Sequence, residues 1–229
     1  MRNTPRSLML FAAGFGTRMG ALTAAQPKPL IRVAGKALID HALEQANGVE
    51  RIVVNLHYLP QMIRDHFSDR KDIAFSAETE TILETGGGLK QALPLLGQGP
   101  VFTLNTDAVW TGPLAIRELE MAWDPARMDA LLLLVPRDRA TGHTGQGDFL
   151  MDSDGRLTRG AGLVYTGAQI LRTDGLAGIT ERVFSLNLLW NKMAAEGRLF
   201  GLVHQGGWCD VGRPEAIGLA EDMLRAAHV

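Results

Sequence analysis

Leu8-Met-Leu-Phe-Ala-Ala-Gly-Phe-Gly-Thr-Arg-Met-Gly20 decides how this chain folds. Its apolar front half reads as a buried strand over Ser7–Ala12, and a glycine loop follows without a break. Gly14 and Gly16 can take positive φ and let backbone N–H groups approach phosphate oxygens, while Ala12 and Ala13 keep the floor of such a loop free of bulk. A dinucleotide fingerprint would need its third glycine where Met19 stands, and a Walker loop would need Gly-Lys-Ser/Thr, which is missing. A strand feeding a glycine loop is the opening of an α/β unit.

The rhythm continues outward. The pattern predicts a helix at Ala37–Asn47, a strand at Arg51–Leu56, a short helix at Pro60–Phe67 and a strand at Ile73–Ala77. A helix at Gly87–Leu96 and a strand at Val101–Asn105 come next, then a helix near Leu114–Trp123. Ala130–Val135 is an unbroken apolar run, suited to a strand buried on both faces. The second half predicts short strands at Gly147–Met151, Leu163–Tyr165 and Leu199–Val203, with helices at Leu186–Glu196 and Pro214–Ala227. The fold class is therefore α/β: a Rossmann-like three-layer α/β/α sandwich with a mostly parallel central sheet and an antiparallel or mixed extension. No repeat or linker divides it, so residues 1–229 read as a single domain.

Composition narrows the function classes. Of 229 residues, 46% are apolar and 21% charged, enough for a sizeable core. The 23 Lys+Arg against 25 Asp+Glu, a net charge of −2, argue against a chain that coats nucleic acid or anionic membrane. The lone Cys209 forms no internal disulfide and no cysteine zinc site, which fits a reducing cytoplasm. No apolar run reaches the ~18 residues of a membrane span. The six histidines show no spacing for a metal site or a triad.

Lys28, twelve residues after Gly16, stands in Pro27-Lys28-Pro29-Leu30. Prolines on either side stiffen the backbone around one lysine, which suits a point charge aimed at a phosphoryl group. A glycine pair alone marks only a tight turn, and Arg18 or Lys28 alone only a solvated charge. Together they form a cationic cradle for a triphosphate. The joint pattern Gly14-Phe-Gly-Thr-Arg18-Met19 with Pro27-Lys-Pro-Leu30 resembles the signature of the sugar-1-phosphate nucleotidylyltransferases. In that family the glycine loop and arginine hold the triphosphate and the lysine lies on the reacting phosphates. The resemblance therefore assigns Ala12, Ala13, Gly14, Gly16 and Thr17 to nucleotide binding, and Arg18 and Lys28 to catalysis.

Three further blocks extend it along nearly the whole chain. Glu84-Thr-Gly-Gly-Gly-Leu-Lys-Gln91 stands at a predicted helix start with Thr85 as its cap, and the family reads the nucleobase here, implicating Gly86, Gly87 and Gly88. Val101-Phe-Thr-Leu-Asn-Thr-Asp107 ends a buried strand in a carboxylate, where ligands of open α/β sheets bind; the family has glycine where this chain has Thr106. Gly207-Trp-Cys-Asp-Val-Gly212 resembles the element that supplies a second metal ligand. The resemblance thus implies Mg2+ on Asp107 and Asp210, a hard cation served by two carboxylates plus phosphate oxygens. Asn105, Gly147, Asp148, Thr166 and Gly167 match the segments that line the acceptor-sugar pocket, although the last four also read as hairpin turns. Cys209 reads as a packing residue and Trp208 as pocket wall or core.

The implied reaction joins a sugar 1-phosphate to a nucleoside triphosphate and releases pyrophosphate. Its partners are those two small molecules, with no nucleic acid and no membrane, and the sequence does not set an oligomeric state. Within the family the small size, Glu84-Thr-Gly-Gly-Gly and Gly147-Asp-Phe are most like the N-acetylmuramate 1-phosphate uridylyltransferases of peptidoglycan recycling, which use UTP. Mannose 1-phosphate guanylyltransferases, glucose 1-phosphate thymidylyltransferases and, more distantly, phosphocholine cytidylyltransferases share the pattern. A non-catalytic nucleotide-binding module is the reading from another class; loss of Arg18, Lys28, Asp107 or Asp210 would mark it, and all four are present.

Overall fold

The computed structural model describes residues 4–227 and opens on β1 (Ser7–Phe11), which stops where Ala12 turns into the glycine loop. A 3₁₀ stretch at Thr17–Thr23, broken at Gly20, and another at Lys28–Leu30 precede the tiny strands β2 (Arg32–Val33) and β3 (Lys36–Ala37). Then come α1 (Leu38–Glu44), β4 (Arg51–Leu56), α2 (Pro60–His66), β5 (Ile73–Ala77), α3 (Glu84–Leu96) and β6 (Val101–Asn105). Next are β7 (Ala108–Trp110), α4 (Ala115–Ala122), β8 (Ala130–Val135), β9 (Ala140–Thr141) and the hairpin of β10 (Phe149–Met151) with β11 (Leu157–Arg159). The long β12 (Val164–Leu171), α5 (Asn187–Ala195), β13 (Leu199–Val203), β14 (Trp208–Asp210) and α6 (Glu215–Ala227) follow.

Seven strands make one sheet in the order β13-β8-β12-β6-β1-β4-β5. β12 is antiparallel to both its neighbours, and the other pairs are parallel. The mixed extension is thus a single reversed strand inside a parallel sheet. Because side chains alternate across a strand, Leu8, Leu10, Ile52, Val54, Leu131 and Leu133 pack on one face with Ile39, Ile63 and Leu119. Met9, Val53, Leu132 and Leu134 pack on the other with Leu89, Leu189 and Met193. Helices α1, α2 and α4 therefore cover one face and α3 and α5 the other, giving three layers.

Two differences from the sequence reading bear on the site. The strand expected at Leu163–Tyr165 runs on to Leu171, its continuation disguised by a bulge between Tyr165 and Gln169 where Gly167 takes φ 90°. A small sheet in the order β7-β14-β9 was not expected at all. Its strands have two or three residues, too few to show periodicity. No helix among the described residues is long and apolar enough to cross a membrane.

The strand order places the site. The chain leaves β1 for β4 and β5 on one side, then returns to β6 on the other, so β1 is a topological switch point. Loops leaving β1, β4 and β6 diverge there and open a crevice at their carboxyl ends.

Candidate active site

That crevice is a cleft of about 290 Å³. Its lining includes Ala12, Ala13, Gly14, Gly16, Thr17, Arg18 and Lys28 from the first predicted group, with Asn105 and Asp107 from the end of β6. Gly16 takes φ 65°, and a Cβ there would lie 2.7 Å from Lys28 Cβ, so only glycine lets the loop and the Lys28 segment come together. Gly14 does not use its freedom of positive φ, and a Cβ on it would meet nothing within 4 Å.

Lys28 is 9% exposed, and its Nζ lies 2.8 Å from Asp107 Oδ2. The two aspartates, 103 positions apart in sequence, meet through the small sheet. β14 pairs with β7 so that Asp210 faces Ala108, and Val211 N donates to the Asp107 carbonyl at 2.8 Å. A Cβ on Gly212 would stand 3.0 and 3.2 Å from the Asp210 carboxylate oxygens and 3.2 Å from Arg18 Nη1. Arg18, Lys28 and Asp107 thus line one wall of the cleft, and Asp210 stands just behind it, beside the lining residue Gly212. Thr106, in the usual glycine position, is accommodated by donating its hydroxyl to the Phe11 carbonyl at 2.7 Å, which ties the end of β6 to the start of the glycine loop.

The predicted sugar-side residues divide. Asn105 lines the cleft, and Gly167 packs on it, a Cβ there falling 2.8 Å from Asn105 Cβ. Thr166, Gly147 and Asp148 lie outside the cleft lining. Thr166 is buried, its hydroxyl donating to Leu133 O and its carbonyl accepting from the Trp208 indole. Asp148 accepts from Tyr165 N at 2.8 Å, and Gly147 backs directly onto Gly162.

Gly86, Gly87 and Gly88 also lie away from the lining, where Ile82, Glu84 and Thr85 stand instead. All three glycines belong to α3 and face inward. The Gly86 and Gly87 amides donate to Phe184 O, and a Cβ on Gly86 would fall 2.3 Å from the Phe184 ring. The three glycines let Phe184, the Arg182 carbonyl and the Glu78 side chain approach α3 closely. Nor does Thr85 cap α3, because its hydroxyl accepts from Leu186 N.

Comparison with known proteins gives the family. Residues 8–153 match the model of the MobA-like NTP transferase domain. The chain is 41% identical to an N-acetylmuramate alpha-1-phosphate uridylyltransferase of Caulobacter vibrioides, over 99% of this chain and 100% of the relative. It is 37% identical to one of Neisseria meningitidis, over 89% and 92%. The chain belongs to the sugar-1-phosphate nucleotidyltransferases. HddC from Yersinia pseudotuberculosis, solved in complex with GMP-PN, shares the fold at a TM-score of 0.76 and 22% identity, covering 96% of this chain and 99% of that one.

In this nucleotidyltransferase the acidic wall is electrostatically tense. Burial and the neighbouring Asp107 push the Asp210 carboxyl above its ordinary value, against the opposing pull of Lys28, Arg18 and His143. Asp107 in the cleft lining and Asp210 behind it are close enough to repel one another, a donor set that fits a hard divalent cation, which needs only one or two carboxylates plus phosphate oxygens and waters. Among the described residues no group of three or more His, Cys, Asp or Glu offers an alternative metal site. Cys209, next to Asp210, is fully buried, its thiol pushed up to about 12 chiefly by that burial. Trp208 belongs to the core and not to the cleft wall.

Sequence reasoning passed over Asn55, which lines the cleft, and the buried Glu78 behind it. Both sit at or just beyond the carboxyl ends of parallel strands, β4 and β5. A polar residue at such a position, after an apolar run, is the signal that would have found them.

Proposed function

We propose that this nucleotidyltransferase transfers a uridylyl group from UTP to N-acetylmuramate 1-phosphate, forming UDP-N-acetylmuramate and pyrophosphate. The observation that carries the choice of substrate is full-length identity of 41% to a relative of that name. A phosphate oxygen of the sugar 1-phosphate attacks the α-phosphorus in line, and the bond to the β-phosphate oxygen breaks. Both reactants are anionic, so catalysis consists of alignment and charge neutralisation, with no covalent intermediate on the protein.

The glycine loop, Gly14 to Thr17, offers backbone N–H groups to the triphosphate. Arg18 neutralises the departing pyrophosphate, and Lys28, held by Asp107, faces the α-phosphate or the sugar phosphate. Asp107 and Asp210 would hold Mg2+, which supplies neutralisation of charge on the α-phosphate. With the α3 glycines turned inward, the base side of the cleft falls to Ile82, Glu84 and Thr85, and the sugar side to Asn105, backed by Gly167. This reaction puts the enzyme in nucleotide-sugar biosynthesis and peptidoglycan recycling.

The test is pyrophosphate release across ATP, CTP, GTP and UTP, each paired with N-acetylmuramate, N-acetylglucosamine, mannose and glucose 1-phosphates. UTP with N-acetylmuramate 1-phosphate is expected to give the highest kcat/KM. A preference for GTP with mannose 1-phosphate would replace this reading, and no release with any pair would leave a binding module.

A further inference from the structure

Glu78 is a carboxylate only 3% exposed, and no described Lys or Arg pairs with it. Its oxygens are spent on two separate segments. Oε1 accepts from Asn55 Nδ2 at 2.7 Å, and Oε2 accepts from Leu83 N at 2.7 Å. Asn55, also 3% exposed, passes the connection on, its Oδ1 accepting from Ala12 N at 2.7 Å. A carboxylate can only accept, so Asn55 must turn its NH2 toward Glu78 and its carbonyl toward Ala12. The chain of bonds therefore has one allowed polarity from end to end.

Its two ends are the two walls of the cleft. Ala12 begins the glycine loop, while Leu83 immediately precedes Glu84 and Thr85 on the opposite wall. Glu84 carries φ 59°, a left-handed conformation that a side chain disfavours and that persists only where its surroundings over-determine it. Here they do: Glu78 holds the amide before Glu84, and Phe184 O holds the amides of Gly86 and Gly87 after it. Gly88 leaves room for the clamp, since a Cβ there would lie 2.7 Å from Glu78 Oε1 and 3.0 Å from Asn55 Nδ2. That gives a physical reason for the third glycine of the triplet.

We propose that Asn55 and Glu78 are positioning residues of the nucleotide site, fixing the span between the phosphate loop and the base-side wall through the polarity of their hydrogen bonds. The inference rests on the reading of this cleft as the UTP site. Neither residue need touch a reacting atom, so their effect falls on nucleotide binding.

A swap cycle tests it. Glu78→Gln leaves two donors, Asn55 Nδ2 and Leu83 N, competing for one amide oxygen. Asn55→Asp sets two carboxylates against each other. The double variant Asn55→Asp/Glu78→Gln restores an acceptor for Ala12 N, an acceptor for Leu83 N and a donor between the two side chains. Each single variant should raise the KM for UTP by about tenfold to a hundredfold, with a smaller change in kcat and the KM for the sugar phosphate within about twofold. The double variant should recover most of that loss. Unchanged KM for UTP in the singles, equal damage to both substrates, or a double no better than the worse single would overturn the proposal. Should a single variant fail to fold by circular dichroism, the double still decides: a folded double close to wild type supports the clamp, and one that is unfolded or more than about tenfold weaker in KM for UTP overturns it. A wild-type enzyme that turns over no UTP would instead refute the underlying function.

Discussion

Lys28 Nζ and Asp107 Oδ2, 79 positions apart in the chain, stand 2.8 Å from one another at the mouth of the β1–β6 crevice. The lysine is thereby both aimed and partly neutralised before substrate arrives, and the same carboxylate is one of the two offered to a metal. Lys28→Gln keeps much of the volume and removes the charge from a site where charge neutralisation is the main device. It should lower kcat/KM by about a hundredfold or more, and lower the melting temperature as well, because Asp107 and Asp210 lose a neighbouring cation. Lys28→Arg should not restore it, because a planar guanidinium cannot replace a compact ammonium between Pro27 and Pro29. Steady-state kinetics beside melting curves check both statements.

Asp210 gives a pH dependence with a defined sign. Its carboxyl is raised in the folded state by burial and by Asp107. The native state therefore binds this proton more tightly than the unfolded chain does. That contribution to stability is complete below the unfolded pKa, about 3.9, and is lost as pH rises through the folded value. Once that proton is lost, and without metal, the ionised group strains the fold. Asp210→Asn should thus raise the melting temperature in EDTA at pH 8, with a smaller gain at pH 4, while removing most turnover. Magnesium should raise the melting temperature of the wild type and leave the variant nearly unmoved. Differential scanning fluorimetry across pH, with and without magnesium, reads all three effects.

Two glycines of one loop should behave oppositely. Gly16→Ala combines φ 65° with a Cβ 2.7 Å from Lys28 Cβ and 3.0 Å from Thr23 Cγ2. It should cost about 1–3 kcal/mol of stability and displace Lys28. Gly14→Ala meets no atom within 4 Å, so its stability should stay within about 0.5 kcal/mol of wild type. Any loss of activity in Gly14→Ala would then come from ligand contact alone. Urea unfolding with parallel assays separates the cases.

A stability element lies away from the cleft. His204 is fully buried, with Nδ1 against Glu118 Oε2 and Nε2 3.2 Å from Thr111 O, while Gln205 N donates to Glu118 Oε1. The contact pins α4 to the segment that leads into β14, and hence to Asp210. Glu118→Ala leaves the buried His204 Nδ1 and the Gln205 amide without their shared acceptor and should cost about 2 kcal/mol. Its kcat below the new melting transition should stay near wild type.

Much of the fold was legible because its strands are long and apolar. Val101–Asn105 and Ala130–Val135 could scarcely be anything but buried strands, and the Leu8–Gly20 stretch marked the crevice before any coordinate did. What escaped was built from short or irregular pieces. Ala108–Trp110 and Trp208–Asp210 have three residues each, yet their pairing is what brings Asp210 to Asp107. Gly167 looked like a turn and is a bulge within one continuous strand. Gly86, Gly87 and Gly88 read as a helix start open to a base and instead face inward on α3, because a glycine serves equally where a ligand or a Phe184 ring approaches. Asn55 and Glu78 were silent for a different reason: their partner lies 23 positions away, and hydrogen-bond polarity leaves no periodic trace.

The central claim is that a sugar-phosphate oxygen attacks the α-phosphorus of UTP on this protein. It is tested most directly with N-acetylmuramate 1-phosphate carrying ¹⁸O at its three non-bridging phosphate oxygens, with products read by mass spectrometry. All three labels should appear in UDP-N-acetylmuramate and none in pyrophosphate. Label in pyrophosphate, or no nucleotide sugar at all, would contradict it.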